Sequence, residues 1–140
     1  KWVKQSIHYW CPDTKEHKFL GQNVTVAILD TGISPHPDFK DRILSFRDFS
    51  STTGSSEKVL FSFSHFSPLI DNSGHGTHVA GILAGSGLLS SGAYAGIAPF
   101  CNLIIGKVLD QNGNGSIKNV INGIQWIRDI YTQFHIRIIN

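Results

Sequence analysis

Charge is scarce in this chain. Of 140 residues 16% are charged, and 12 Lys and Arg against 10 Asp and Glu leave a formal net charge of +2. The basic residues are scattered. No Lys/Arg cluster exists of the kind that tracks a phosphate backbone or an anionic bilayer, so neither nucleic-acid nor membrane partners are expected. Cysteine is nearly absent: Cys11 and Cys101 are the only two. They form no CxxC pair and suggest no disulfide framework. Neither has surroundings that would activate a thiolate, and two free, partly buried thiols are expected. Long apolar runs are missing too, since residues 24–29 and 103–105 are far too short to span a bilayer. The N-terminal Lys1-Trp2-Val3-Lys4-Gln5-Ser6 has no apolar signal core followed by small residues. The chain is therefore expected to be cytosolic, or secreted after removal of a leader or pro-segment. With 41% hydrophobic residues, what remains is enough for one globular domain with a real core.

Residues 1–20 have weak periodicity and a Pro12-Asp13 turn signal, and read as a lead-in segment to a domain over residues 21–140. Residues 24–29 are β-branched and apolar on both faces, as a central parallel strand buried between helices requires. A second strand is expected over 42–49. Residues 50–58 are rich in Ser, Thr and Gly and read as a loop, and the alternation of Val59, Phe61 and Phe63 suggests an edge hairpin strand. A helix is expected from about His75 to Ala84, a loop over 85–96, a buried strand over 103–109 and a Gly/Asn loop over 110–115. Ser116 reads as the N-cap of an amphipathic helix in which Ile117, Val120, Ile121, Ile124, Ile127, Arg128 and Tyr131 follow helical spacing. A last apolar strand covers 136–139. Strands alternating with helices give an α/β fold, a mostly parallel central sheet flanked by helices.

Asp30 directly follows the first buried strand, and open α/β sheets gather their sites beyond the carboxyl ends of their strands. Taken alone, Asp30-Thr31-Gly32 is more simply a turn in which the aspartate bonds its own backbone. His75 falls at a helix N-terminus, where the dipole disfavours an imidazolium and helps keep the ring neutral and basic. A carboxylate on its other nitrogen would fix the tautomer. Gly76 and Gly81 would let other backbone approach the helix closely. His78 is expected to be a packed residue bonded to backbone. A metal site from Asp71, His75 and His78 competes, but the His-Glu-x-x-His spacing and its Glu are absent. An aspartic-protease loop at Asp30 competes as well, on a fold that is essentially all-β.

Val26-Ala-Ile-Leu-Asp30-Thr-Gly-Ile, followed by His36-Pro-Asp-Phe, resembles the aspartate motif of the subtilisin-like serine peptidases. Gly74-His75-Gly-Thr-His-Val-Ala-Gly resembles their histidine motif. Gly96-Ile-Ala-Pro and Gly106-Lys-Val-Leu-Asp-Gln-Asn-Gly-Asn-Gly resemble the segment that follows, so the likeness runs from about Gly21 to Asn140.

The resemblance implies a serine endopeptidase acting on peptide or protein substrates. In it Asp30 orients the histidine, and His75 serves as general base and then acid. It also implies that the backbone at Leu109 and at Gly113, Asn114 and Gly115 pairs with an extended substrate as an added strand. The family's nucleophilic Ser and oxyanion Asn come later in the chain, and no Ser here has their context. Ser73, Ser86, Ser90, Ser91 and Ser116 read as turn, loop or cap residues, and Asn140 is not the oxyanion donor. The sequence is therefore expected to hold the N-terminal part of a peptidase domain and to be inactive alone. Two other readings stand beside this one: a non-catalytic pseudoprotease or peptide-binding module lacking the nucleophile, and a half-domain that pairs with a second chain. No cofactor is required for catalysis. Asp38 matches a calcium-ligating position of some relatives, but one carboxylate is not a calcium site, and the 85–94 loop departs from their pattern.

Overall fold

The computed structural model describes residues 4, 6, 7, 9, 19–50, 57–59 and 71–140. In chain order the described elements are β1 (Thr25–Asp30), β2 (Ile43–Asp48), β3 (Glu57–Val59), α1 (His75–Ala84), β4 (Asn102–Lys107), α2 (Ile117–Ile130) and β5 (Ile136–Ile139). Short 3-10 turns lie at Lys40–Arg42 and Leu88–Ser90.

The strands form one sheet in the order β3-β2-β4-β1-β5. β2, β4, β1 and β5 run parallel, and β3 pairs antiparallel with β2 at one edge. The chain crosses from β4 through α2 to reach β5 on the far side of β1. β1 and β4 lie side by side in unbroken register from Thr25↔Asn102 to Asp30↔Lys107.

β1 is apolar on both faces because both faces are covered. Val26 and Ile28 pack with Phe39, Ala80, Ala84, Leu103 and Ile105 beneath α1. Ala27 packs on the other face with Ile104, Val108, Trp126 and Ile127 beneath α2. Small side chains bring α1 close to the sheet: Gly76, Ala80 and Ala84, four residues apart, are its buried positions. A Cβ on Gly76 would stand 2.2 Å from the carbonyl oxygen of Gly32, so only glycine fits there.

α2 starts where the sequence indicates, with the Ser116 hydroxyl accepting from Asn119 N at 3.1 Å. Its buried face differs from the expected stripe. Gly123, Trp126 and Ile127 face the sheet, whereas Ile117, Ile121 and Ile124 are exposed. Gly123 decides this, because it is the point where Leu29 and Val108 approach the helix closely. The loop over 85–96 is tied back to α1 by backbone bonds from Gly96 to Gly85, Ile97 to Ile82 and Ala98 to Leu83. β3 takes the edge place expected of a hairpin strand, beginning inside the stretch read as a loop. Phe61 and Phe63, like Cys11 and most of the lead-in, lie outside the described residues. Cys101 is a free, fully buried thiol. No helix among the described residues is long and apolar enough to cross a membrane.

Candidate active site

β1 ends on Asp30 and α1 begins on His75, and the sheet brings the two together. His75 Nδ1 stands 2.8 Å from Asp30 Oδ1. A carboxylate can only accept, so the ring carries its proton on Nδ1 and leaves Nε2 as the basic nitrogen. Asp30 is held by its neighbour as well, since its Oδ1 accepts from Thr31 N at 2.7 Å. Burial is lopsided: the Asp30 side chain is 10% exposed and the His75 side chain 63%.

The electrostatics reverse one expectation. The helix N-terminus should lower the pKa of His75, yet it is raised, first by the hydrogen bond to Asp30, then by that carboxylate's charge, with a contribution from Asp71. A carboxylate at hydrogen-bonding distance favours the protonated ring, which is what raises the pKa.

The start of α1 has no side-chain cap of its own; Gly74, with φ of 83°, occupies the N-cap position. Asp71 supplies the missing acceptor, taking hydrogen bonds from Gly74 N and Thr77 N at 2.8 Å each. It also accepts from the hydroxyls of Thr31, at 2.8 Å, and Thr77. Burial alone would push the pKa of this carboxyl up, but the hydrogen bonds from Thr77, Thr31 and Gly74 outweigh it and hold the group below the usual range. These donors occupy the carboxylate that a metal would need. Among the described residues no three His, Cys, Asp or Glu side chains are grouped to hold a metal ion. His78 is exposed rather than packed, and it borders an open cleft of about 380 Å³ with His36, Phe39 and Tyr94. Gly81 borders the same cleft, and a Cβ placed there would have nothing within 4 Å, so it serves no close approach, unlike Gly76. Asp38 turns to N–H donors: its carboxylate accepts from Gly87 N at 2.9 Å, and its carbonyl from Ser86 N at 3.1 Å.

Leu109 is bonded to the strand end that carries Asp30, its N donating to Asp30 O at 3.2 Å and its carbonyl accepting from Lys107 Nζ at 2.9 Å. Residues 110–114 form a turn closed on Asp110, whose carboxylate accepts from Asn112 N and Asn114 N and whose N donates to Asn114 O. Gly113 has φ of 78°, and residues 111–116 are exposed. The main-chain groups of Gly115 have no hydrogen-bond partner among the described residues. The sequence singles out Asp30 and His75 directly. It carries no comparable sign of Thr31, of Asp71 in its actual role, or of Lys107, because their importance lies in hydrogen bonds between segments distant in the chain. Among the described residues no serine hydroxyl bonds to the His75 ring. Ser86, Ser90 and Ser116 serve local turns and the cap.

The chain is 46% identical over 106 residues to "Serine protease AprX" of Bacillus subtilis (strain 168), covering 76% of this chain and 21% of that protein. It is 41% identical over 108 residues to the "Major intracellular serine protease" of the same strain, covering 76% and 30%. The solved structure of the Clostridium perfringens CspB protease superposes with a TM-score of 0.77 at 26% identity, covering 93% of this chain and 30% of that one. The chain thus spans between a fifth and a third of the length of these relatives. A family model described as "Subtilase family" matches residues 21–140. The chain belongs to the subtilase family, the S8 peptidases.

Proposed function

We propose that residues 21–140 supply the Asp–His half of an Asp-His-Ser triad in a serine endopeptidase, with residues 1–20 as a lead-in. The observation that carries this reading is the 2.8 Å contact between His75 Nδ1 and Asp30 Oδ1, at the carboxyl end of a central parallel strand. The nucleophilic Ser and the oxyanion donor are contributed from outside this stretch.

His75 Nε2 takes the proton of the serine hydroxyl as its Oγ bonds to the scissile carbonyl carbon. Asp30 stabilises the imidazolium that forms and keeps the ring in place. As the tetrahedral intermediate collapses, the same proton passes from Nε2 to the departing amine. Water then repeats the cycle on the acyl-enzyme and releases the acid. These steps call for no cofactor. The substrate is a peptide or protein segment lying extended along Leu109 and Gly113–Gly115. The main-chain groups of Gly115 are unbonded among the described residues and suit strand addition, whereas Gly113 N and the N and O of Asn114 are engaged with Asp110 within the turn.

The experiment is labelling of the full-length protein with a serine-directed covalent probe, alongside a fluorogenic peptide assay. Labelling and turnover that both vanish in His75→Ala support the endopeptidase. A protein that binds peptides but is never labelled is a non-catalytic module instead.

A further inference from the structure

We propose that Asp71 and Thr31 form a latch that positions the Asp30–His75 pair, with Asp71 as a positioning residue that touches neither substrate nor the transferred proton. The proposal rests on the dyad reading above.

The latch has two arms meeting at a buried carboxylate. Asp71 is 9% exposed and Thr31 1%. On one arm, Asp71 Oδ1 accepts from Thr31 Oγ1 at 2.8 Å, and Thr31 N donates to Asp30 Oδ1 at 2.7 Å. On the other, Asp71 accepts from Gly74 N and Thr77 N, which bracket His75 in the chain. Thr31 Oγ1 closes the loop by accepting from Gly76 N at 2.9 Å. Thr31 is therefore tied directly to the backbone after the imidazole, and through Asp71 to the backbone before it.

Helix capping does not account for this. A cap needs an acceptor for the first free N–H groups of its own helix, and Asp71 meets that need for Gly74 and Thr77 as the Thr31 hydroxyl does for Gly76. The Thr31–Asp71 bond itself adds nothing to the helix. It reaches 40 residues back to the strand end that carries Asp30. Such a link restricts sliding of the helix start against the strand end, the motion that would lengthen the Asp30–His75 bond. The ionised groups facing the ring are Asp30 from β1 and Asp71 from the turn before α1. Lys107 of β4 holds its ammonium on the Thr31 carbonyl.

The test follows the His75 Nδ1 proton by NMR in the full-length protein. A proton held between imidazole and carboxylate resonates at low field and exchanges slowly with water, and Asp30→Asn should abolish it. Thr31→Val keeps the side-chain shape but removes the donor to Asp71 and the acceptor for Gly76 N. It should make that proton exchange about tenfold faster or more. Thr31→Ser should restore the unaltered rate, which a merely space-filling role would not predict. Asp71→Asn should also speed exchange and move the His75 titration midpoint down. Unchanged exchange in both Thr31→Val and Asp71→Asn overturns the latch while leaving the dyad intact. If Asp30→Asn itself changes neither the resonance nor the midpoint, the dyad reading fails and the latch falls with it.

Discussion

Lys107 lies opposite Asp30 in the β1–β4 register and turns its ammonium onto the carbonyl oxygens of Thr31 and Leu109. The residue is 5% exposed, so water has little access to replace it. It joins the residue after the dyad carboxylate to the residue that opens the 109–115 segment. Lys107→Met keeps the aliphatic stem and removes the donor, leaving two carbonyls short of a partner at about 1–3 kcal/mol for each that is buried. Thr31 is buried and Leu109 half-buried, so urea unfolding should show a loss of about 1–3 kcal/mol. An unchanged midpoint would mean that the ammonium holds nothing together.

The raised pKa of His75 has a definite sign in stability. A folded-state value above the unfolded one stabilises the fold at pH below the ordinary histidine value of about 6.5. That contribution is lost as the pH rises through the folded-state pKa. The ring is exposed, so the effect is small, and it should disappear in Asp30→Asn. The same shift should place the acid limb of kcat/KM for the full-length protein above the ordinary histidine range. A limb at or below that range in the unaltered protein would contradict the raised pKa of His75.

Gly76 and Gly81 should respond oppositely to the same change. In Gly76→Ala the new methyl meets the Gly32 carbonyl at 2.2 Å and Asp30 Cβ at 3.2 Å. The helix start must move away from β1, at a cost of about 1–3 kcal/mol or more. Gly81→Ala meets nothing within 4 Å and gains helix propensity, about 0.5–1 kcal/mol. Thermal unfolding of the two variants checks both signs at once.

Strand addition along 109–115 predicts a dependence on substrate length. Gly113 points into open space with a positive φ, and a Cβ on Gly115 would meet Val108 O at 2.5 Å. In the full-length protein, a bulky residue at position 113 should raise KM for extended peptides more than for short ones. Equal effects on both would count against a substrate backbone lying here.

Residues 1–140 alone should not hydrolyse peptides. His75 can activate only a hydroxyl within its reach, and among the described residues no serine bonds to it. In subtilisin, a member of this same family, loss of the serine costs about 10⁶ in kcat, and the remaining catalysis comes from oxyanion stabilisation and binding. A fluorogenic assay of the purified chain checks this. Turnover that disappears in His75→Ala would reveal a nucleophile within these residues.

The strand–helix alternation is legible because burial leaves a direct mark on sequence. Residues 24–29 have no polar face, and Ser116 announces the start of α2. The pairing of Asp30 and His75 can be reached because both sit at element ends within long motifs. The buried face of α2 is not legible from spacing alone. Ile117, Ile121 and Ile124 fit helical periodicity as well as Trp126 and Ile127 do, and only Gly123 tells them apart, through contacts made by Leu29 and Val108. Asp71 offers itself as a metal ligand, since a carboxylate near two histidines has the same sequence appearance whether it faces a cation or a set of N–H donors. His78 faces a cleft instead of packing, for helix spacing places it near His75 without saying where the sheet ends.

The uneven exposure of the dyad makes it a one-way junction for protons. On its inner side the imidazole is tied to a buried carboxylate whose other described partner is the Thr31 amide, a group that carries no proton further into the protein. On its outer side the ring is open. Any proton that His75 gains or loses must therefore be exchanged with whatever lies in front of Nε2, whether solvent or a reacting group. The fold supplies the direction of transfer, and the occupant of that open side determines the chemistry.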